Sequence, residues 1–264
     1  MDNETRRPLA LVTGASGGIG AELARELARH GHDVILAARS VAPMERLASE
    51  LEGIGAAATV IAADLAKPGA AATLAHDIAS RGLAIDALVN NAGLGAAGRF
   101  DRIDPARLHE ILQVNIVSLS ELTRLILPGM VARRRGRILL VASVAAFQPG
   151  PGMAAYFASK AYVLSLGEAL YYELRGTGVT VTTLCPGSTA TNFFVTAGAE
   201  NSPMARHLRH MMSAEKVAQL GCRAMLAGRR LVIAGTANRL VALASRHAPH
   251  PLTLPVTERM MTPD

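Results

Sequence analysis

"LALVTGASGGIG", residues 9 to 20, joins a short apolar run to a glycine-rich turn and then to the start of an amphipathic segment. The run at 9–14 is almost continuously apolar or β-branched, which is typical of a strand buried on both faces. Glycines in the turn permit a tight reversal and let a pyrophosphate approach the free N–H groups of a helix N-terminus. A plain chain reversal also needs glycine, so the order of strand, turn and helix carries the nucleotide-binding signal.

Further runs of the same kind follow along the chain. They lie at 33–38, 58–64, 86–93, 137–143, 179–187 and 230–235. Stretches with helical periodicity separate them, for example 18–31, 69–81, 104–134 and 156–176. Strands and helices that alternate in this way predict an α/β fold, a doubly wound parallel sheet of about seven strands with helices on both faces. Such a sheet binds ligands at the carboxyl ends of its strands.

The length and charge of the chain limit the classes of protein that it fits. Its 264 residues suit one domain, and 50% apolar with 18% charged residues is typical of a folded globular protein. Twenty-seven Lys and Arg against 21 Asp and Glu give a net charge of +6. The basic run "RRRGR" at 133–137 would suit nucleic acid, but arginines that close a long helix also stabilise its negative C-terminal end. The second interpretation is favoured, and no nucleic-acid partner is predicted.

Cysteine content and hydropathy predict a soluble, cytoplasmic protein. Cys185 and Cys222 are too few for a disulfide framework, which fits a reducing compartment. The first apolar run is too short for a signal peptide and leads straight into glycines. We find no stretch of about 18 apolar residues, so no membrane partner is predicted.

The phenols and the ends of the predicted strands point to proton transfer. The fifth strand ends at Ser143, and Tyr156 and Lys160 open the next predicted helix, one turn apart on one face. A phenol has a pKa of about 10, and a fixed ammonium nearby lowers that pKa. Ser143 would hydrogen-bond the oxygen of a reacting carbonyl or hydroxyl. The alternative is an ordinary helix pair, like Tyr171 and Arg175, which share the spacing but lie away from any strand end.

Two asparagine positions add to this pattern. "NNAG" at 90–93 ends the fourth predicted strand, and Asn115 lies inside the long helix that follows. An asparagine on an apolar helical face is often a surface or hydrogen-bonded core residue, so Asn115 alone decides nothing.

Taken together, these motifs resemble the short-chain dehydrogenase/reductase family in its compact single-domain branch. The matching residues are Thr13-Gly14-xxx-Gly18-x-Gly20, Asn90-Asn91-Ala92-Gly93, Asn115, Ser143, Tyr156-xxx-Lys160 and Pro186-Gly187. The resemblance extends from the first strand to about residue 235. It implies a Rossmann-like fold, a nicotinamide cofactor, a small-molecule carbonyl or alcohol substrate, and a homodimer or homotetramer.

The resemblance also implies the residue roles. Tyr156 would be the general acid/base, Ser143 would orient and polarise the substrate oxygen, and Lys160 would lower the tyrosine pKa and hold the nicotinamide ribose. Asn115 would anchor a water that links the lysine to solvent. Besides Tyr156 and Lys160, the implied cofactor contacts are Gly14, Ser16, Gly18, Ile19, Gly20, Asp64 (adenine), Leu65, Asn91, Ala92, Gly93, Pro186, Gly187, Thr189 and Thr191 (the nicotinamide carboxamide).

Cofactor choice depends on "VILAARS" at 34–40. An acid at the end of the second strand would accept hydrogen bonds from both ribose hydroxyls of NAD, but the chain has Ala38 there, followed by Arg39 and Ser40. A guanidinium binds phosphate through two parallel bonds, so NADP(H) is predicted to be preferred and NAD(H) possible. The alternative is that Arg39 is a solvated loop residue, since Gly17 replaces the basic residue that many NADP-binding members carry.

Two segments lie outside these motifs. Residues 188–213 lack a clean period and lie where the family has its substrate lid, whose apolar wall would be Phe193, Phe194, Met204, Met211 and Met212. These residues would equally serve to pack the lid onto the core. His207 and His210 have helical spacing but no third ligand, so no metal site is predicted. The C-terminal extension at 236–264 is predicted to add a short helix and a proline-rich tail.

The predicted function is an NADP-preferring oxidoreductase that interconverts a carbonyl and a secondary alcohol on a largely apolar substrate. One alternative is a sugar-nucleotide epimerase or dehydratase, because Gly14, Gly17 and Gly20 also fit the glycine spacing of such enzymes. The compact length argues against it. The other alternative is a dinucleotide-binding regulator without enzymatic activity.

Overall fold

Parallel β-strands form the centre of the protein in the computed structural model, which describes residues 6–206 and 212–261. The strands in chain order are β1 (Leu9–Thr13), β2 (Asp33–Ala38), β3 (Ala58–Ala62), β4 (Ala87–Asn90), β5 (Gly136–Val141), β6 (Val179–Cys185), β7 (Thr189–Ala190), β8 (Met212–Ser213) and β9 (Leu231–Ile233). The main sheet has seven strands in the order β3-β2-β1-β4-β5-β6-β9, and every pairing in it is parallel. The predicted α/β fold and the seven predicted strands are confirmed.

Helices cover both faces of the sheet. In chain order they are α1 (Gly18–Arg29), α2 (Val41–Glu52), α3 (Ala70–Ser80), α4 (Pro105–Leu112), α5 (Leu119–Ala132), α6 (Ala154–Glu173), α7 (Phe193–Thr196), α8 (Pro203–Arg206), α9 (Ala214–Leu226), α10 (Thr236–His247) and α11 (His250–Met261). Alternate strand residues face opposite layers: Val12 packs in the core under α1, α2 and α9, whereas Leu11 packs under α3, α5 and α6. A strand covered on both sides is apolar at every position, which is why the runs could be recognised.

At the carboxyl edge of the sheet, several strands end one to three residues earlier than predicted. β4 stops at Asn90 and β6 at Cys185. Beyond these points the chain leaves the sheet at "NAG" and "PG", which places those residues at the carboxyl edge. The reversal of strand order lies between β1 and β4, so the glycine turn after β1 lies beside Asn91 at this edge.

The long helix predicted at 104–134 is interrupted. Asp104 caps it by accepting a hydrogen bond from the N–H of Ala106 (3.0 Å), and a π-helical turn, Gln113–Ser118, separates α4 from α5. An inserted turn of this kind is common at functional sites, and Asn115 lies within it.

The same stretch corrects the expectation about apolar length. Pro105–Ala132 spans 28 residues with a mean hydropathy of 1.3 over its most apolar part, which is enough to cross a membrane by length and composition alone. However, Leu119, Leu122 and Met130 of this stretch are buried in the core under the sheet. A core helix meets the same criterion, so the finding is weak evidence for a membrane span.

The lid and the C-terminal extension are more regular than predicted. Within the lid, β7 pairs in parallel with β8, and α7 and α8 lie between them, while Met211, His207 and His210 fall outside the described residues. The extension forms two helices of 12 residues, α10 and α11, instead of one helix and a tail. Pro251 is in the first turn of α11, where its missing N–H costs nothing.

Candidate active site

The turn after β1 is shaped to leave backbone N–H groups free. Gly14 and Gly18 have φ of +67° and +54°, in the left-handed region that other residues rarely adopt. A Cβ on Gly20 would collide with the carbonyl oxygen of Gly14, so this position requires glycine for close packing. The N-terminus of α1 has no side-chain cap and no acidic residue in its first turn. The turn therefore presents uncapped amides and a positive dipole end to an anion.

Thr13 joins the glycine turn to the end of β4. Its Oγ1 donates to the carbonyl of Val89 (3.2 Å) and accepts from the N–H groups of Asn91 (3.0 Å) and Ala92 (3.1 Å). In return the Asn91 amide donates to the Thr13 carbonyl (3.0 Å) and more weakly to that of Gly14 (3.3 Å). These bonds hold two neighbouring strand ends in one rigid edge.

Asn115 holds the chain segment beyond β4. Its Oδ1 accepts from the N–H of Leu94 (2.8 Å), and its Nδ2 donates to the Leu94 carbonyl (2.9 Å) and to Ser159 Oγ (2.9 Å). The side chain is fully buried. Gly93 lies between this amide and Lys160: a Cβ there would be 3.2 Å from Lys160 Nζ. Asn115 thus positions the wall next to the lysine.

Ser143, Tyr156 and Lys160 meet at the carboxyl edge. Ser143 Oγ accepts from the N–H of Ala145 (3.1 Å), which orients it after β5. Lys160 Nζ donates to the Val141 carbonyl (2.9 Å) and lies 5.8 Å from the centroid of the Tyr156 ring. The two side chains share one face of α6, as their spacing predicts.

Burial sets the proton affinities of this group. It raises the pKa of Tyr156 to about 12, although a hydrogen bond with Ser143 acts in the opposite direction. It lowers the pKa of Lys160 to about 8, because the ammonium loses its hydration. Desolvation is the largest cause of the raised tyrosine pKa. Tyr156 is consequently a neutral phenol at neutral pH. The expected lowering of the tyrosine pKa by Lys160 stays a prediction.

One cavity of about 1160 Å³ contains almost all of the predicted site residues. Two of them do not line it: Gly20 packs behind the glycine turn, and Asn115 lies behind Leu94. Those that do are Gly14, Ser16, Gly18, Ile19, Arg39, Ser40, Asp64, Leu65, Asn91, Ala92, Gly93, Ser143, Tyr156, Lys160, Pro186, Gly187, Thr189 and Thr191. The cavity runs from the end of β2, across the glycine turn, to the lid.

The β2 end of the cavity is cationic. Arg39 is exposed there and makes no ion pair or hydrogen bond within residues 6–206 and 212–261, whereas Arg25 is held by Glu22 (2.8 Å) and Glu50 (2.6 Å). Arg46 lines the same end and was not predicted, because it lies seven residues from Arg39 inside a helix and no motif marks it.

The lid end of the cavity is apolar. Phe193 packs against Tyr156 with ring centroids 4.9 Å apart, and Phe194 and Met204 line the cavity with it. Met212 packs against the core under α9, as the alternative interpretation of these residues has it, and it does not line the cavity. Residues at this end that the sequence did not indicate are Gln148, Met153 and Met261.

Arg107 joins the predicted lid to the segment that follows β4. From α4 its NH2 group donates to the carbonyls of Gly95 (2.9 Å) and Thr196 (3.1 Å). No cluster of metal-ligating side chains occurs in the described part of the chain, and His207 and His210 lie outside it.

Comparisons with known proteins agree with this geometry. The short chain dehydrogenase family matches residues 8–202. An uncharacterized oxidoreductase of Myxococcus xanthus (strain DK1622) is 37% identical over 190 residues, which cover 70% of this chain and 75% of that protein.

Solved structures extend the match to 89–95% of the chain. A short-chain dehydrogenase from Sphingobium yanoikuyae in complex with NADPH is 31% identical with a TM-score of 0.81, covering 89% of this chain and 92% of that one. A short-chain dehydrogenase/reductase from Burkholderia phymatum in complex with NAD is 26% identical with a TM-score of 0.82, covering 95% and 96%. The chain therefore belongs to the short-chain dehydrogenase family of oxidoreductases.

Proposed function

We propose that the protein is an NADP-preferring oxidoreductase that reduces the carbonyl group of a largely apolar small molecule to a secondary alcohol, and catalyses the reverse oxidation. The observation that carries this proposal is the meeting of Ser143, Tyr156 and Lys160 at one edge of a cavity that has a glycine turn on one side and an apolar lid on the other.

The residues fit a nicotinamide dinucleotide along the cavity. The uncapped amides of the glycine turn would hold the pyrophosphate, Asp64 and Leu65 would lie beside the adenine, and Lys160 would hold the nicotinamide ribose. Pro186 to Thr191 would line the nicotinamide, with the methyl group of Thr191 packed over Gly18. When bound, such a cofactor supplies the hydride that adds to the carbonyl carbon.

The side chains of the chain itself supply the proton chemistry. Ser143 would donate a hydrogen bond to the carbonyl oxygen and polarise it. Tyr156, held neutral by its raised pKa, would donate its proton to that oxygen as negative charge develops there. The buried Lys160 ammonium would stabilise the resulting phenolate until the phenol regains a proton from solvent.

Arg39 supports the choice of NADP(H). Ala38 offers no carboxylate to the ribose hydroxyls, and Arg39 is an exposed cation with no protein partner in the described chain. Its two parallel donors match a 2′-phosphate, which Ser40 would also contact. The solved relatives include proteins in complex with NADPH and with NAD, so the local residues and not the family argue for the preference.

The reaction class, the oligomeric state and the compartment are proposed on separate grounds. Curated relatives named as oxidoreductases favour redox chemistry over sugar-nucleotide epimerisation or a regulator without activity. We propose a homodimer or homotetramer through the outer faces of α5 and α6, where Leu125 and Tyr162 are exposed. We also propose that it acts in the cytoplasm, since both cysteines are free thiols.

The test is a panel of aldehydes and ketones of increasing apolar size, with oxidation of NADPH and of NADH followed by absorbance. We expect turnover of at least one bulky ketone with NADPH and slower turnover with NADH. A protein that binds NADPH tightly but turns over no carbonyl or alcohol would be a regulator, and the proposed function would be wrong.

A further inference from the structure

The last helix, α11, reaches the lid end of the cavity. Met261 at its C-terminal end is 9% exposed and packs in one apolar cluster with Met153, Phe157 and Phe194. The same residue lines the cavity that contains Tyr156. The preceding residue, Met260, is on the outer face of the helix and 38% exposed. The helix therefore presents one methionine to the cavity and its neighbour to solvent.

A buried polar contact fixes α11 to the loop that follows the catalytic serine candidate. Thr257, one turn before Met261, is 4% exposed, and its Oγ1 accepts a hydrogen bond from Gln148 Nε2 (2.9 Å) while donating to the Thr253 carbonyl (3.0 Å). Gln148 also lines the cavity. A buried hydroxyl with both partners satisfied defines a preferred position for the helix.

The helix also contacts the lid. α11 packs against α8, whose Ala205 and neighbouring Met204 belong to the same apolar cluster as Met261. The substrate end of the cavity is thus enclosed by two separate parts of the chain, the lid and α11.

We propose that α11 is a wall of the substrate pocket and that Met261 determines how large an apolar group the pocket accepts. The proposal rests on the proposed function, because it assigns a substrate group to the same cavity. The cluster around Met261 is composed of methionine, phenylalanine and alanine side chains, so the group that it would contact is uncharged and apolar, such as an aryl or branched alkyl substituent. Methionine is the most adaptable of these side chains, and its truncation would open the pocket directly.

Acetophenone and benzophenone provide a matched pair of probes, since the second replaces a methyl group with a phenyl ring. We expect Met261→Ala to raise the ratio of kcat/KM for benzophenone to that for acetophenone by about 10-fold or more, mainly through KM, because changes of one or a few methylenes in an apolar pocket are worth about that much. Met261→Phe should change the ratio in the opposite direction. Met260→Ala is the control and should leave it within about twofold.

Titration calorimetry of both ketones against the protein with NADP bound provides a readout that needs no turnover. If the parent protein reduces no ketone, the proposed function fails. Opposite changes in the ratio of benzophenone affinity to acetophenone affinity in Met261→Ala and Met261→Phe would still support α11 as a wall of the pocket. Suppose instead that the parent protein reduces ketones, and that Met261→Ala, Met261→Phe and Met260→Ala all keep its kcat/KM ratio and its ketone affinities. This result would overturn the inference about α11 while leaving the proposed function intact.

Discussion

The two ends of the cavity are built in opposite ways. At the proposed nucleotide end, the site is formed by backbone groups: glycines with positive φ, uncapped amides, and the bonds from Thr13 and Asn91 that join β1 to β4. At the proposed substrate end, side chains from the predicted lid and from α11 form a largely apolar enclosure. A backbone site tolerates little change of sequence, whereas a side-chain enclosure can change its shape with single substitutions.

Tyr156 lies where the two ends meet, so its substitution separates chemistry from binding. We expect Tyr156→Phe to reduce kcat by about 100- to 10,000-fold or more, because a positioned proton donor contributes that much, while the affinity for NADPH stays within a few fold. Steady-state kinetics and calorimetry measure the two quantities.

Tyr171→Phe is the matched control, since Tyr171 is on the same helix but packs against the core. It should leave kcat nearly unchanged. If Tyr156→Phe retained more than about a tenth of the activity, Tyr156 would not be the proton donor.

The parts of the molecule that could be predicted from the sequence are those that depend on short-range patterns. The seven strands were recognisable because strands covered on both faces are apolar throughout. The glycine turn and the Tyr156–Lys160 pair were recognisable because short-range spacing places them on one turn or one face. Spacing alone does not make a functional pair: Tyr171 and Arg175 have the same spacing, yet Tyr171 packs against the core and Arg175 lies over the Tyr172 ring, 4.7 Å from its centroid.

The unpredicted parts depend on long-range contacts or on local insertions. The approach of Met261 to Met153 joins residues more than a hundred positions apart, and nothing in either local pattern indicates it. The π-helical turn at Asn115 leaves no sequence period of its own. The prolines of α11 were interpreted as marks of a tail, although Pro255 is accommodated inside the helix.

Substitution of Arg39 tests whether a single side chain sets the cofactor preference at the proposed nucleotide end. Charge-assisted hydrogen bonds contribute roughly 1.5–3 kcal/mol, so we expect the protein to bind NADPH about 10- to 150-fold more tightly than NADH. Arg39→Ala should remove most of this preference, and Ala38→Asp should reverse it through repulsion of the 2′-phosphate. Calorimetry at moderate salt measures both affinities.

Arg46→Ala is the comparison variant, since Arg46 lines the same end from α2. A loss confined to Arg39→Ala would assign the preference to the loop, and equal losses would divide it between the loop and the helix. Equal or tighter binding of NADH by the parent protein would contradict the NADP assignment.

Lys160 connects the two ends, and its lowered pKa predicts a pH-dependent stability. Its pKa falls from 10.5 to about 8 on burial, so between these values the unfolded chain holds a proton that the folded chain has released. The contribution of Lys160 to the free energy of unfolding therefore rises with pH across this window, by about 2 kcal/mol between pH 8 and pH 10.

Denaturant unfolding of the parent protein and of Lys160→Met at several pH values isolates this effect. The buried thiols of Cys185 and Cys222, whose pKa values burial raises to about 12, oppose it above pH 9. The Cys222 effect is common to both proteins, but Lys160 lowers the pKa of Cys185, so the two proteins are best compared between pH 8 and pH 9. A stability difference that is constant over this range would show that Lys160 is not desolvated.

The smallest expected effect concerns the lid, residues 188–213, of which 188–206 and 212–213 lie in the described part of the chain. If it closes over substrate, chymotrypsin should cut near Phe193 and Phe194 in the free protein, and cofactor with a substrate analogue should slow that cut by several fold.

Arg107 makes the prediction sharper, because its bonds to the carbonyls of Gly95 and Thr196 hold α7 in place. Arg107→Met should speed the cut in the free protein while leaving NADPH affinity unchanged, because its hydrogen-bond partners Gly95, Glu110 and Thr196 are not among the predicted cofactor contacts. Equal cutting with and without ligands, read by mass spectrometry of the fragments, would show that the lid is static and that the two ends differ in composition but not in mobility.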